Sequence, residues 1–384
     1  MSVAVSKAGP YYSSGEISFS SLRSNFRAQQ RKQTSSGSET FSTDTAPIKA
    51  SQLLRKTATT ETNPIVPNAA ENSNVSTSTN WKVSQFRNTI KYYYITQSGT
   101  DTNFDVDAQS WNTNLNKNIV KIAFIDGTCG SNSSSSAAVS LDATAFNLVI
   151  DNYGSILGAS GRGGGTGGGA PDPSGENGGD GISISSSSGN NISVNVRTGS
   201  RLYAGGGGGE RGKNGSNGSS GRCNEDCGWR NTFCQTNAPG QGNCPSGYNS
   251  AGARWVRCCQ GSDRRCSAAL WELTCCQPAY DVSGGVGGAG GPGGRGRGYD
   301  YQSGSRDGSA GSAGTSAGSG PRGSCGATSG TSGEVGGIGG DWGSSGTDTE
   351  NSGNGGSSGR AVSGSNYSVT GTINSTTVKG LYNP

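Results

Sequence analysis

The stretch GGVGGAGGPGGRGRG, residues 284–298, has glycine at every third position, with a second glycine beside most of them. The same spacing recurs within residues 209–221, 308–314, 320–326 and 330–339. A period of three matches neither the α-helix nor the β-strand, but it matches the left-handed helix with three residues per turn. That helix has no internal hydrogen bonds, so its backbone groups need partners on neighbouring segments or in water. The spacing therefore predicts a bundle of packed polyglycine-II helices.

Collagen and a flexible linker fit this spacing less well. The chain has only 12 prolines among 384 residues, and its glycine runs last only a few triplets, which is too short for a triple helix. A Gly/Ser-rich linker is the usual interpretation of such a composition, but a linker needs no strict phase. Runs that return in the same three-residue register favour the ordered bundle.

The composition also limits the chemistry that the chain can perform. Glycine accounts for 69 residues, only 29% of residues are hydrophobic, and the mean hydropathy is −0.58, so an apolar core can hold only part of the chain. Histidine is absent, which excludes Ser-His and Cys-His catalysis. No other catalytic constellation stands out. We therefore expect no enzyme activity, no cofactor and no metal.

Positive charge is concentrated at the N-terminal end of the chain. The formal net charge is +4, and residues 1–60 hold eight Lys and Arg against three acidic residues. A basic start on a nearly neutral body is typical of an anchoring arm rather than of a nucleic-acid binder. The RGRG tract at 295–298, beside Tyr299 and Tyr301, is an RNA-binding pattern, but the mild charge favours a structural role. We expect no nucleic-acid partner.

Two short patterned islands interrupt the polar residues 1–80. They read GEISFSSLRSNF (15–26) and APIKASQLLRK (46–56). Neither island can fold alone, so we expect both to become ordered on a partner; a disordered tail is the alternative. The predicted docking contacts on that partner, with two arginines at their rim, are Ile17, Phe19, Leu22, Arg23, Phe26 and Arg27.

Strand patterns begin after residue 80. Between residues 81 and 157, β-branched and aromatic runs such as IKYYYIT and IVKIAFI are bounded by Ser, Asn, Asp and Gly, which predicts four to six strands. An internal repeat follows, because residues 149–159 align with residues 194–204 at an offset of 45, and each copy precedes a glycine run. A repeated strand and glycine run predicts a layered or solenoid-like unit. Alternation predicts further strands at 181–185 and 191–196.

Together these patterns predict a mainly β and irregular fold. The expected order is an extended arm (1–80), a small β-rich domain (81–157), a polyglycine-II bundle with short β rungs (158–221 and 284–384) and a cysteine-rich insert (222–283). We call this insert the cysteine module.

Nine of the 11 cysteines lie in the cysteine module. This density is typical of a small extracellular disulfide scaffold; a Cys₄ zinc site is the alternative, although its usual C-x₂-C knuckles are missing. Adjacent cysteines bond to each other only with strain, so each Cys-Cys pair should reach two different partners. Because nine is odd, Cys129, Cys325 or a free thiol takes up the remainder. The predicted disulfide cysteines are Cys223, Cys227, Cys234, Cys244, Cys258, Cys259, Cys266, Cys275 and Cys276.

Aromatic and arginine side chains are also concentrated in the cysteine module. Exposed Trp, Tyr and Arg on a disulfide-stapled loop are typical of a recognition surface, and aromatic rings suit the faces of sugars. The alternative is that the tryptophans form the small core of the module. The predicted ligand contacts are Trp229, Tyr248, Arg264 and Arg265.

The segments SILGASGRGGGTGGG and SRLYAGGGGGERG resemble the glycine-rich regions of phage tail fibres and of the adhesin that caps long tail fibres in T4-like phages. The N-terminal islands are similar to the openings of virion structural proteins of tailed phages, including cyanophages. This resemblance implies a sandwich of polyglycine-II helices whose connecting loops bind the host receptor. The long cysteine module departs from that pattern.

For this chain, the resemblance implies a location in the virion tail or tail fibre, and outside the cell after lysis. The implied partners are other phage tail, baseplate or fibre proteins and a host cell-surface glycan or protein, with a homotrimer as one possible assembly. A polyglycine-II ice-binding protein, similar to the snow-flea antifreeze family, is an alternative. A secreted glycine-rich matrix protein is another, but MSVAVSKAGPYYSS lacks the apolar segment of a signal peptide.

Overall fold

The fold is taken from a computed structural model. It describes residues 6–8, 31–33, 39–41, 55–56, 66–67, 72–78, 82–86, 89, 92–107, 120–141, 148–165, 173–185, 192–235, 244–246, 248–260, 266–349 and 353–382. Within these residues the chain is mainly β and irregular, as predicted. The chain forms two compact units. The first is Met1–Gly212 with Pro292–Ser309 and Val335–Pro384, and the second is Lys213–Gly291 with Ala310–Glu334.

The N-terminal elements that the structure describes are short. They are β1 (Ser6–Ala8), β2 (Arg31–Gln33), β3 (Glu39–Phe41), β4 (Arg55–Lys56), β5 (Val66–Pro67) and a 3₁₀ helix (Val83–Phe86). Strands β2 and β3 form an antiparallel pair, whereas β4 and β5 form a parallel pair. No helix in the described ranges is both long and apolar enough to cross a membrane.

The first unit contains a solenoid of five coils, in which each coil gives one strand to each of three parallel sheets. The first coil consists of β6 (Tyr92–Gln97), β7 (Thr100–Thr102) and β8 (Phe104–Asp105). The second consists of β9 (Val120–Ile125), β10 (Thr128–Gly130) and β11 (Val139–Leu141). The third consists of β12 (Leu148–Asn152), β13 (Ser155–Leu157) and β14 (Ile182–Ile184).

The fourth coil is interrupted by a long insertion. It begins with β15 (Ile192–Val196) and β16 (Arg201–Tyr203), and the chain then forms β17 (Gly221–Cys223), β18 (Asp226–Gln235), β19 (Asn249–Gln260), β20 (Cys266–Gln277) and β21 (Tyr280–Val282) in the second unit. Strand β22 (Arg360–Gly364) completes the fourth coil. The fifth consists of β23 (Tyr367–Gly371), β24 (Val378–Lys379) and β25 (Leu381–Tyr382).

Regular stacking of the coils builds the apolar core. Because side chains alternate along a strand, every second residue of the first sheet points into the solenoid. Ile95, Ala123, Ile150 and Val194 stand in register on four successive coils, and each is fully buried. Strand β1 pairs antiparallel with β6 at the first coil. A core shared between coils explains how such short strands can be stable.

The internal repeat corresponds to two successive coils of this solenoid. Strand β12 pairs with β15, and Ile150 lies opposite Val194. The separation of these two residues along the chain is one residue less than the alignment offset of 45. Strand β13 pairs with β16, and Ile156 lies opposite Leu202. The separation of these two residues along the chain is one residue more than the alignment offset. The difference arises because the turn before β16 is longer than the turn before β13. The strands predicted at 181–185 and 191–196 are confirmed as β14 and β15.

The described residues between 81 and 157 contain eight strands, more than the four to six that were predicted. Five of these strands have only two or three residues, too few for their side-chain alternation to be visible in the sequence. All three sheets also contain strands from beyond residue 157. The division of the chain into four segments stays a prediction.

The long insertions leave the solenoid between the second and third sheets. Residues 131–138 connect β10 to β11, residues 158–181 connect β13 to β14, and residues 204–359 connect β16 to β22. Most of the glycine runs lie within the last two of these connections. The solenoid thus positions the ends of the glycine segments through strands that it already stacks.

Residues 205–211 form the centre of the glycine segments in the first unit. Successive backbone N–H groups of this segment donate in turn to three different neighbours, and the direction repeats every third residue. The N···O distances are 2.7–3.0 Å. The seven donor–acceptor pairs are Gly205–Gly179, Gly206–Arg297, Gly207–Ser344, Gly208–Glu176, Gly209–Gly294, Glu210–Thr347 and Arg211–Pro173.

The carbonyl groups of residues 203–210 accept hydrogen bonds from three further segments. Gly158, Gly161 and Gly164 donate to Tyr203, Gly206 and Gly209. Gly343, Gly340 and Gly337 donate to Ala204, Gly207 and Glu210, and Gly359 and Gly356 donate to Gly205 and Gly208. The central segment therefore has hydrogen-bonded segments on six sides, some parallel to it and some antiparallel.

This crowding explains the run of five glycines at 205–209. All five residues are buried. A Cβ atom on Gly205 would overlap the carbonyl oxygen of Ala159, one on Gly207 that of Gly356, and one on Gly208 that of Arg162. Segments at the edge need glycine only on the sides that face a neighbour, which is the origin of the Gly-x-x pattern.

Polar side chains complete the hydrogen bonding at the edges of the glycine segments. Asn177 Oδ1 accepts from the Ser357 N–H, and Thr347 Oγ1 accepts from the Ile338 N–H. At the end of the central segment, the fully buried Glu210 carboxylate accepts from the N–H groups of Gly353 and Thr349. Such side chains take the place of a missing neighbouring backbone.

We expect Gly207→Ala to disrupt the glycine segments. The added methyl group would meet a carbonyl oxygen on a neighbouring backbone that is itself held by hydrogen bonds, so the free energy of unfolding should fall by about 3 kcal/mol or more. Gly99→Ala is the matched control, because a Cβ there meets no atom within 4 Å. Chemical denaturation of both variants provides the measurement; equal stability would contradict the central position of Gly207.

We expect the Cys129 thiol to be unreactive in the folded protein. Cys129 is a free cysteine in the core of the solenoid, and burial, followed by the charge of Asp101, raises its pKa to about 12 from 9.0. Iodoacetamide at pH 8 should therefore label it only after denaturation. The pKa of the Cys129 thiol is higher in the folded chain than in the unfolded chain. The contribution of the buried neutral thiol to stability is therefore complete below pH 9.0 and is lost as the pH rises toward 12. Cys129→Ala should show a weaker loss over that interval; rapid labelling of the native protein would contradict the burial.

Candidate functional site

The second unit contains four hydrogen-bonded glycine-rich segments, two of which enter and leave the cysteine module. Gly285, Gly288 and Gly291 donate to the carbonyls of Thr328, Thr331 and Glu334, again at intervals of three residues. Gly215 and Gly218 donate to Gly288 and Gly285. Here too, side chains replace missing neighbours, as Asn214 Oδ1 accepts from the Gly290 N–H and Thr328 Oγ1 from the Ser219 N–H. These segments give the module a regular base.

The cysteine module is built on antiparallel strands. Strands β17 and β21 pair at its base, while β20 lies between β18 and β19 in a three-stranded sheet. Long strands with Trp, Phe, Val and Thr favour this pairing. Bulges interrupt the register after Asp226, Ser250, Trp255 and Cys259. The three-stranded sheet is the larger of the two sheets in the described part of the module.

Among the described residues, three disulfides involve the module: two lie within it and one reaches a cysteine outside it. The pairs are Cys223–Cys325, Cys227–Cys276 and Cys244–Cys275. The adjacent Cys275 and Cys276 thus reach different partners, and Cys325 supplies a partner from outside the module. For Cys234, Cys258, Cys259 and Cys266, disulfide pairing stays a prediction.

Disulfide formation also bears on the metal alternative. Among the described residues, one group of potential ligands lies close enough to hold an ion: Glu225, Cys227 and Cys276. Two of its three members are joined in a disulfide, so their sulfur atoms cannot act as thiolate ligands. In the oxidised chain this group is a poor metal site.

A small cluster at the base of the module joins it to the segment around residue 322. Cys223, Val282 and Ala327 are buried there, with Tyr280 packed against them. The Tyr280 hydroxyl accepts from the Arg322 backbone N–H at 2.7 Å, and the Arg322 guanidinium lies 5.4 Å from the Tyr280 ring centroid. The Arg322 Nη2 donates to the Pro278 carbonyl at 3.0 Å. These contacts fix the strands that enter and leave the sheet.

The structure describes two of the four predicted ligand contacts. Trp229 is half-buried on β18 opposite Cys275, and Tyr248 is half-buried next to β19. Arg264 and Arg265 lie outside the described residues, as do all six predicted docking residues: Ile17, Phe19, Leu22, Arg23, Phe26 and Arg27. The role of these residues in ligand binding stays a prediction.

A charged cluster on β20 was not predicted from the sequence. Glu272 Oε2 lies 2.5 Å from Arg254 Nε on β19, and its Oε1 lies 3.7 Å from Arg230 Nη1 on β18. The arginines belong to different strands, so only the register of the sheet brings them to one carboxylate. The sequence held one indication of this cluster, which is that Glu272 is the only acidic residue of β20, whereas β18 and β19 carry arginines.

The arginines of the RGRG tract support a turn at residues 298–305. Arg295 pairs with Asp300, donates to Ser160 Oγ at 2.7 Å and lies 5.1 Å from the Tyr301 ring centroid. Arg297 Nη1 donates to the Gln302 carbonyl at 3.0 Å. These contacts agree with the structural role expected for the tract.

The architecture is that of a β-solenoid carrying hydrogen-bonded glycine segments and a disulfide-stapled sheet. Residues 90–270 match the family model of the phage tail fibre adhesin Gp38, a span that includes most of the solenoid strands, the central glycine segment and much of the cysteine module. No curated protein and no solved structure matches the chain. The resemblance to phage tail-fibre adhesins is thus confirmed, and over these residues the chain is tail-fibre adhesin-like.

We expect chemical reduction to open the cysteine module but to leave the solenoid folded. All three described disulfides lie in the second unit, and each should contribute about 2–4 kcal/mol. After reduction, trypsin should cleave at Arg222, Arg230 or Arg254 well before it cleaves within 92–157, as peptide mass spectrometry can show. Oxidised protein is the control, and simultaneous cleavage of the solenoid would contradict the expectation.

Proposed function

We propose that this chain is a non-enzymatic virion protein of a phage tail or tail fibre, which attaches by its N-terminal arm and recognises the host surface. The match of residues 90–270 to a tail fibre adhesin family carries this proposal. It favours an adhesin over an ice-binding or matrix protein. Host recognition would take place after lysis, outside the cell that produced the particle.

In this proposal the glycine segments form a polyglycine-II bundle. The supporting observation is the hydrogen-bond direction in the central segment, which returns to the same neighbour every third residue. A helix with three residues per turn requires that repeat. A bundle held together by backbone hydrogen bonds does not depend on large apolar side chains, so its exposed positions and loops can vary for recognition.

The anchoring role is assigned to the basic residues 1–60. The apolar positions Ile17, Phe19, Leu22 and Phe26 would be buried against another tail, baseplate or fibre protein. Arg23 and Arg27 would meet acidic partners at the rim of that contact. An arm that becomes ordered on binding can spread its affinity over a long track.

The receptor contact is assigned to the cysteine module, with a host-surface glycan or protein as the ligand. Trp229 and Tyr248 offer partly exposed rings, and Arg264 and Arg265 add charge-assisted donors to the proposed contact. We assign no role in nucleic-acid binding. A homotrimer is the assembly that we propose to test first.

The proposal is tested with two variants of the phage. Deletion of residues 1–60 also removes the edge strand β1, but it should leave the solenoid from β6 onward folded. The truncated chain should be absent from purified particles, because the anchoring contacts are gone. Alanine at Trp229, Tyr248, Arg264 and Arg265 together should leave incorporation unchanged but reduce adsorption to host cells at least about tenfold. Particle composition is measured by mass spectrometry and adsorption by free-phage counts.

Each variant serves as the control for the other, because one should lose incorporation and the other only adsorption. A truncated chain that still joins particles would place the anchor elsewhere. Normal adsorption by the fourfold variant would move the contact to other loops. A wild-type chain that neither joins particles nor binds host cells would overturn the proposed function.

A further inference from the structure

The three-stranded sheet of the cysteine module has two chemically different faces. On β20, Trp271, Leu273 and Cys275 alternate toward one face, and Leu273 and Cys275 are fully buried. Glu272 and Thr274 point to the opposite face. The register places Thr232 of β18 and Arg254 of β19 beside Glu272, and Arg230 of β18 beside Thr274. This second face, which we call the arginine face, consists of Arg230, Thr232, Arg254, Glu272 and Thr274.

Glu272 holds two arginines at the centre of the arginine face. Its carboxylate is largely buried, with a side-chain exposure of 16%, whereas the Arg254 and Arg230 side chains are 76% and 64% exposed. One carboxylate oxygen meets Arg254 and the other meets Arg230. The anion therefore lies underneath and the two guanidinium groups lie toward solvent.

The charges of this cluster do not balance. Two guanidinium groups against one carboxylate leave a charge of +1, and each guanidinium carries five N–H donors, most of which Glu272 cannot use. Exposed ion pairs contribute little to stability, so the fold gains little from keeping this arrangement. Two pre-positioned guanidinium groups are instead well suited to a second, external anion.

We propose that the arginine face binds an oxyanion group, carboxylate or phosphate, of a host cell-surface polysaccharide. Arg230 and Arg254 donate to the anion, and the hydroxyl groups of Thr232 and Thr274 lie beside it for the sugar. Glu272 is a positioning residue, which holds both guanidinium groups at one place on the sheet. This inference rests on the proposed function and names the chemistry of its ligand.

The test uses the full oxidised chain with Arg230→Gln and Arg254→Gln combined. The probes are polygalacturonate for carboxylate, a phosphate-bearing lipopolysaccharide for phosphate, and neutral dextran as the blank. The double variant should bind at least one anionic probe about tenfold more weakly and with a smaller dependence on salt. Loss on only one probe identifies the anion. Arg222→Gln is the matched control, because Arg222 is an exposed arginine of the same unit that is paired with Asp281.

A third variant, Glu272→Gln, separates positioning from charge alone. It raises the charge of the cluster to +2, so a simple electrostatic attraction would strengthen binding to both anionic probes. If Glu272 positions the arginines, binding should weaken instead, while the circular dichroism spectrum stays unchanged. Tighter binding by this variant would overturn the role given to Glu272.

The inference and the proposed function fail in different ways. Wild-type and double-variant chains that bind the anionic probes equally, and host cells equally, would overturn the arginine face but leave the adhesin function intact. A wild-type chain that binds no host cells would contradict the adhesin function itself.

Discussion

The structure depends on the requirement that buried backbone N–H and C=O groups find partners without the help of a regular sheet. In the central glycine segment this requirement is met by six neighbouring segments, none of which could approach if side chains intervened. Glycine is therefore not a flexible spacer in this region. It is the only residue that lets backbone groups on all sides come within hydrogen-bonding distance, and the hydrogen bonds offset the entropy lost by ordering so much glycine.

The solenoid solves the same backbone problem in a different way. Its strands pair with the coils above and below, and the side chains between them form an apolar core. The pair Asp151–Arg197 strengthens this stacking between adjacent coils, with two hydrogen bonds of 2.6 and 2.8 Å and the Arg197 guanidinium 5.2 Å from the Tyr153 ring centroid. Asp151 holds the pKa of Arg197 above its usual value, which outweighs the opposing effect of burial. One unit thus combines a core of apolar side chains with segments that have almost none.

Some of this organisation could be predicted from local patterns, and some could not. The three-residue spacing marks the segments that hydrogen-bond at that interval, and alternation marks β14 and β15. Strands of two or three residues carry no such period. No local sequence pattern indicates that β22 follows β16 in the same coil, because the two strands are separated by a long insertion and are placed by pairing with strands of the neighbouring coils. The run at 205–209 did hold an unused clue, since glycine at every position, rather than every third, indicates neighbours on all sides.

The candidate site was harder to predict for a similar reason. A cysteine pattern does not determine connectivity, and the link from Cys223 to Cys325 joins residues that are remote in sequence. Likewise, Arg230, Arg254 and Glu272 come together only once the bulges of the sheet have set its register. Tryptophan and tyrosine were more visible in the sequence than this ion cluster, because composition identifies residue types whereas register determines which of them meet.

The insertion between Tyr203 and Arg360 has a consequence for how the chain acquires its structure. During synthesis the first three coils can stack as they leave the ribosome, but the fourth must wait for β22, which is made only after the whole glycine and cysteine region. Closing so long a loop costs about 4–5 kcal/mol in chain entropy, unless the inserted segments have already drawn its ends together. The glycine segments that continue from β16 and lead back into β22 would bring these ends together. The fourth coil can therefore form only after the glycine segments made between its strands have assembled.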